Sequence, residues 1–274
     1  MEPVGNIGRV YSAVQKAKTG ASGFITNFFP VQRKLQGWID YGDLFCESDE
    51  SAALFFRKDR DFRHFYFCAA NAVALQERMA ASVVLKKERV MTDLVGNEAA
   101  LSDLLTLLKT VGFRQYTRLC RMARTAPIEM QQQSSSDSQI VYATQADCRA
   151  ILDLLERSFN RYAEQLPMLY ELEAAVAGRQ ILVAKHGNAI AGLLFFETQG
   201  FTSTTRYWLV DEQFRSFRFG SALMRRYFET QSAVRRFILW VIADNENAIQ
   251  KYHHYGFAPD GLVDCVLANR MIPV

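Results

Sequence analysis

The sequence predicts an α/β fold of the mixed type, a mostly antiparallel sheet flanked by helices, built twice along the chain. Three observations carry this expectation. Strand-like and helix-like stretches alternate on both sides of one polar segment. That segment, Gln131-Gln132-Gln133-Ser134-Ser135-Ser136-Asp137-Ser138, has no periodicity and reads as a flexible linker. A helix-turn-strand unit near the end of the first half reappears near the end of the second. The expected organisation is a domain over 1–130, a linker over 131–138 and a domain over 139–274.

The first half opens with helical segments to about Asp40. Ala52–Arg57 and Phe62–Cys68 read as strands, Ala69–Lys87 as one long helix and Val90–Val95 as a strand. Asn97-Glu98-Ala99-Ala100-Leu101 leads into a helix ending at Gly112-Phe113, and Arg114–Arg121 is again strand-like. In the second half, Gln139–Ala143 is a strand, and Thr144 caps the start of a helix with Ile151, Leu152, Leu154, Leu155 and Phe159 at helical spacing. A second helix covers Met168–Ala177 and stops at Gly178. Ile181–Lys185 and Ala189–Thr198 flank the turn His186-Gly187-Asn188. Thr202–Val210 is a strand, a helix follows Gly220, 237–242 is a strand, a further helix ends at Gly256, and Cys265–Met271 closes the chain as a strand.

The repeat aligns Asn97-Glu98-Ala99-Ala100-Leu101 with Asn245-Glu246-Asn247-Ala248-Ile249, and Gly112-Phe113 with Gly256-Phe257. Asn97 and Gly112 are 15 positions apart, Asn245 and Gly256 11 apart. The difference is about one helical turn, so both ends can keep their orientation.

Bulk composition narrows the classes. The chain has 274 residues, 49% hydrophobic and 22% charged, enough for a real core. A formal charge of +3 offers no footprint for nucleic acid or an anionic membrane, and no stretch approaches the ~20 apolar residues of a membrane span. The five cysteines are scattered and form no C-x-x-C, as expected of thiols in a reducing compartment. The start, Met1-Glu2-Pro3-Val4-Gly5-Asn6, lacks the basic and apolar pattern of a signal peptide, so a cytoplasmic location is expected. No His, Cys and Asp cluster has metal-ligand spacing, so no metal is expected.

Two segments carry chemistry. The first runs Leu209-Val210-Asp211-Glu212-Gln213-Phe214-Arg215-Ser216-Phe217-Arg218-Phe219-Gly220-Ser221-Ala222-Leu223. The second runs Asp244-Asn245-Glu246-Asn247-Ala248-Ile249-Gln250-Lys251-Tyr252-His253-His254-Tyr255-Gly256-Phe257. Together, with the strand between them, they resemble the two acetyl-CoA motifs of the GNAT superfamily of N-acetyltransferases. The resemblance covers 139–274 well and the first half only weakly, which implies a tandem GNAT fold with a degenerate N-terminal copy.

The resemblance implies acetyl-CoA as cofactor. Its pyrophosphate suits successive backbone N–H groups where a strand turns into a helix. Arg215, Ser216, Phe217, Arg218, Phe219, Gly220, Ser221 and Ala222 lie at that junction, and Leu209 and Val210 lie on the strand edge where the family holds the pantetheine arm. The family pattern places a glycine at 218. Arg218 either crowds the loop or reaches back to pair with a phosphate. Asn245 can cap its helix, and in the family this residue also contacts the cofactor.

Acetyl transfer to an amine needs a neutral amine, a stabilised oxyanion and a proton for the departing thiolate. Tyr252 stands at the family's tyrosine, and a phenol with pKa of about 10 stays protonated near neutrality. It is the expected acid. For the base, Glu197 near the end of a central strand and a water chain to backbone carbonyls both stand. His253 and His254 point to other helix faces.

The expected activity is acetyl-CoA-dependent N-acetyl transfer to a primary amine by direct attack on the thioester. The alternative is a non-catalytic acyl-CoA-binding module, a sensor or scaffold. A longer acyl chain or an aminoacyl-tRNA is a further donor reading, and the lack of a basic stripe opposes tRNA. The expected partners are a small-molecule or peptide amine and a second copy of the chain. The N-terminal copy lacks the tyrosine, with Leu104 or Leu108 in its place, and 73–89 contains no glycine, so it is expected to bind no cofactor.

Overall fold

A computed structural model describes residues 1–19, 22–125 and 139–272. The linker expected at 131–138 lies outside the described residues. The chain forms two compact units, Met1–Leu119 with Leu262–Val274, and Cys120–Gly261. The final segment is therefore counted with the first unit rather than with the second half of the chain.

The first unit contains β1 (Glu2–Pro3), α1 (Ile7–Lys18), β2 (Ile25–Thr26), α2 (Gln32–Asp40), β3 (Leu44–Ser48), β4 (Ala52–Asp59), β5 (Phe62–Ala69), α3 (Ala72–Ala81), α4 (Val83–Lys87), β6 (Val90–Gly96), α5 (Glu98–Thr110) and the start of β7 (Arg114–Thr125). The strands β1, β3, β4 and β5 pair antiparallel in that order, and β6 joins β5 parallel. Strand β3 was not anticipated from sequence. The single helix expected over 69–87 is two, because Ser82 leaves the helical conformation (φ −64°, ψ 126°) and its hydroxyl accepts from the Leu85 N–H at 3.2 Å, capping α4.

The second unit contains β8 (Ile140–Tyr142), α6 (Cys148–Ser158), α7 (Leu169–Ala177), β9 (Ile181–His186), β10 (Ala189–Gln199), β11 (Thr202–Val210), a 3₁₀ turn over Glu212–Phe217, α8 (Phe219–Thr230), β12 (Arg236–Ile242), α9 (Glu246–His254) and the start of β13 (Ala258–Ala268). Its strands run β12-β11-β10-β9-β8, antiparallel except for the parallel pair β11–β12. One face of this sheet packs with Tyr227, Phe228, Phe237 and Phe257, the other with Leu155, Leu166, Leu172 and Tyr207. Burial of such side chains contributes roughly 1.5–3 kcal/mol each and fixes the sheet that carries the site.

The last strand begins at Ala258, earlier than the expected Cys265, and its end serves the first unit. Residues Val263 to Ala268 pair antiparallel with Gly96 to Met91 of β6. Val263, Cys265 and Leu267 join the core of that unit. Among the described residues no helix is long and apolar enough to cross a membrane.

The repeated helix-turn unit is the same structure twice. Asn97 and Asn245 accept from the N–H groups of Ala100 and Ala248 at 3.0 and 3.1 Å. Gly112 and Gly256 both have positive φ, +97° and +76°. Phe113 N–H donates to Leu108 O and Phe257 N–H to Tyr252 O, at 3.0 and 3.1 Å. Counting from the glycine is thus the correct register, and buried Leu108 stands where Tyr252 stands.

Candidate functional site

The site begins where two parallel strands part. The pairing of β11 with β12 runs from Thr202↔Arg236 to Thr205↔Leu239. On the other side of β11, Phe196 faces Thr205 and Phe195 faces Tyr207, so Arg206 is an extra, bulged residue. Past it, Arg206–Val210 and Trp240–Ile242 line a cleft of about 1260 Å³. The main-chain groups along this parted edge are available to a ligand. Gly192 keeps β10 close behind, since a Cβ there would lie 2.7 Å from Leu209 O.

The turn after β11 leads to the start of α8. Asp211 O accepts from Phe214 N–H at 2.9 Å, and an Arg157–Asp211 ion pair braces the turn. Arg218 then takes φ +56°, ψ 22°, the left-handed conformation that glycine adopts freely. Arg218, the residue that departs from the expected motif, thus holds a backbone conformation open to glycine without strain. The first N–H groups of α8 precede the helix's own ladder, and Arg215, Arg218 and Lys251 add positive charge to the cleft wall. Together they suit a pyrophosphate. A Cβ at Gly220 would meet Trp208 and Val210 at 3.5 Å, ordinary contact, so the protein alone would accommodate a methyl group there.

On the facing wall, Asn245 caps α9, and the Tyr252 ring lies 5.7 Å from that of Trp208. The Tyr252 hydroxyl makes no hydrogen bond among the described residues. Burial, with the neighbouring charge of Glu164, raises its phenol above the usual range, so it is protonated at neutral pH.

Glu164 is the residue that sequence reading missed. It lies in the connection between α6 and α7 and lines the cleft with Tyr252. Asn160 N–H donates to its carboxylate at 2.9 Å, and the Tyr207 hydroxyl donates to the main-chain oxygens of Glu164 and Gln165 at 3.0 and 2.7 Å. Burial pushes its carboxyl up to about 7, only partly opposed by the Asn160 hydrogen bond. No local spacing distinguishes it from Glu171 or Glu173, so its position, not its pattern, marks it.

The expected base Glu197 is not on the cleft wall. It pairs in register with Thr204, and its charge acts on Arg206. Leu209, Val210, Arg215, Arg218, Gly220, Ser221, Asn245 and Tyr252 are brought together on the wall. Ser216 and Phe217 are exposed outside it, and Phe219 and Ala222 are buried in the core beneath. His253 and His254 are exposed, with His254 at the rim.

Residues 148–257 match the family model of the acetyltransferase (GNAT) family. No curated protein matches the chain. Among solved structures, a tandem GNAT protein from the clavulanic acid biosynthesis pathway is similar over 99% of both chains, with a TM-score of 0.64 and 10% identity. A GCN5-related N-acetyltransferase from Sphaerobacter thermophilus covers 98% of this chain and 93% of its own, with a TM-score of 0.56 and 16% identity. One from Kribbella flavida covers 87% and 93%, with a TM-score of 0.58 and 11% identity. At these identities the likeness carries the fold: a mixed, mostly antiparallel GNAT fold in tandem.

Proposed function

From the premise of a GNAT acetyltransferase domain at residues 148–257, we propose that the chain is an acetyl-CoA-dependent N-acyltransferase that acetylates a small-molecule or peptide primary amine. The observation that carries this reading is the parted edge of β11 and β12, with a tyrosine hydroxyl that has no hydrogen bond among the described residues and a raised carboxyl on the same cleft.

The residues fit the cofactor. Leu209 and Val210 would offer main-chain groups to the pantetheine arm, and the start of α8 with Arg215, Arg218, Gly220 and Ser221 would hold the pyrophosphate. Bound acetyl-CoA supplies an activated acyl thioester. Glu164 takes the proton that the acceptor ammonium loses, which leaves a neutral amine for direct attack. The tie from Tyr207 holds the Glu164 backbone against the strand that bears the cofactor. Tyr252 gives its phenolic proton where the thiolate departs, the acylated nitrogen sheds its extra proton to solvent, and solvent reprotonates the phenolate.

Release of coenzyme A thiol, followed with a panel of primary amines, tests the activity. Tyr252→Phe should lower kcat ~10²–10⁴-fold with acetyl-CoA affinity nearly unchanged. An unchanged kcat would reduce Tyr252 to a packing residue. One observation favours a binding module instead: a non-glycine residue in the left-handed conformation at 218, which costs of order 1–3 kcal/mol. Tight acetyl-CoA binding with no turnover on any amine would establish that reading.

A further inference from the structure

The first unit holds a counterpart of the parted strands. Its β5 and β6 run parallel and pair at Arg63↔Val90 and His64↔Met91. The far end of β5, Phe67–Ala69, begins three residues past the last of those pairs, as Trp208–Val210 begins three residues past Thr205 on β11. In the second unit this edge faces the cleft. In the first unit it is covered by the chain itself.

The covering segment comes from the connection between α1 and α2. Ile25 pairs with Ala69 and Thr26 with Cys68, antiparallel. Asn27 N–H donates to Phe67 O at 3.3 Å, and the Thr26 hydroxyl donates to the same oxygen at 2.7 Å. Phe67 N–H donates to Asn27 Oδ1 at 2.7 Å. The Asn27 Nδ2 reaches across to β6, donating to Thr92 Oγ1 at 2.9 Å and Asp93 O at 3.2 Å. One asparagine thereby bridges the two strands where they separate. Phe28, next in line, is buried and stacks on Phe55 with ring centroids 4.4 Å apart.

The sheet around this edge also lacks the device seen in the second unit. The register of β4 with β5 is unbroken from Ala52↔Ala69 to Asp59↔Phe62, whereas β10 and β11 shift at Arg206. The connection between the first two helices thus does different work in each unit. In the second it brings Glu164 to the cleft, and in the first it enters the gap as a strand.

We infer that Ile25–Phe28 is an internal stand-in for the cofactor arm, so that the first unit is filled by its own chain and takes no acyl-CoA. This rests on the reading that the parted edge of β11 receives the cofactor. The segment satisfies the β5 main chain as an added strand does. Being tethered, it competes at an effective concentration on the order of millimolar, which a cofactor at micromolar levels does not displace. The missing tyrosine at Leu108 is then secondary, since the groove is occupied before any chemistry is at issue.

Calorimetric titration of the full chain with acetyl-CoA, with amide hydrogen exchange in parallel, tests this. The expected result is one cofactor per chain, with slower exchange in 206–221 and unchanged exchange at Asn27, Phe28 and Phe67. Asn27→Ala should speed exchange at Phe67 at least tenfold while leaving 181–210 as in the parent. Asn27→Asp, which keeps the acceptor for Phe67 and loses the donors to Thr92 and Asp93, should loosen β6 at 92–93. Two cofactors per chain, faster exchange at 25–28 when cofactor is added, or parent-like exchange at Phe67 in Asn27→Ala would overturn the inference alone. No cofactor bound at all would overturn the function of the second unit, and the inference with it.

Discussion

Glu164→Gln is the sharpest perturbation of the cleft. The side chain keeps its size and an oxygen able to accept from Asn160 N–H at 2.9 Å, but it no longer takes a proton. Burial holds the Glu164 carboxyl at about 7 against an ordinary 4.5. The groups that face it are Tyr252 from α9 and Tyr207 from β11, both protonated at neutral pH, with Arg206 beside Tyr207. A base must be ionised to act, so the rate rises with pH through about 7 and levels above it. At pH 6 roughly one molecule in ten carries the ionised base, and kcat/KM falls about tenfold per unit below that. The substitution should lower kcat/KM ~10²–10⁴-fold near pH 8 and remove this limb of the profile. The assay is thiol release against pH for parent and variant with one amine. The amine's own ionisation persists in both, so the difference between the profiles isolates Glu164. A variant that keeps both the rate and the limb near pH 7 would refute the assignment and return the role to water or backbone.

Other expectations follow from the same geometry. Arg218→Ala should weaken acetyl-CoA binding by ~10-fold or more, the loss of one charge-assisted contact; tighter binding by Arg218→Gly, read by calorimetry, would show that the side chain obstructs the loop instead. Gly220→Val places branched methyl groups beside Trp208 and Val210 and should block the pyrophosphate, so parent-like affinity in titration would misplace that group. In the first unit, burial alone would raise the Asp59 carboxyl, but His64, Arg57 and Arg60 hold it at about 2, below the ordinary 3.8. Its lowered folded value means that stability is present above pH 3.8 and is lost as pH falls towards 2, by roughly 2 kcal/mol, measurable as a falling urea midpoint. A midpoint that stays flat across that window would deny the buried network its role.

Short-range spacing was enough for much of this protein. Asn245, Tyr252 and Gly256 lie within one helix and its turn, so their places follow from helical geometry once the cap and the positive-φ glycine are recognised. The same holds for Asn97, Leu108 and Gly112, and for the strand-turn-helix from Thr202 to Thr230. Even the departure at Arg218 was visible as a residue out of pattern, although its left-handed backbone was not.

What sequence could not supply depends on contacts between distant segments. Glu164 matters because the Tyr207 hydroxyl, 43 residues away, ties its loop to β11. Glu197 stays off the cleft wall because its register sets it opposite Thr204, in the part of β11 that is still paired with β12, where its charge acts on Arg206. Asn27 becomes a plug only because β5 and β6 part beside it, and β13 serves the first unit only because Val263–Ala268 find β6. Local pattern selects helix, strand and turn, since those are decided by neighbours in the chain. Which edge stays open and which carboxyl is desolvated are decided by tertiary packing, where the free energy of pairing and burial is spread over residues that no local window contains.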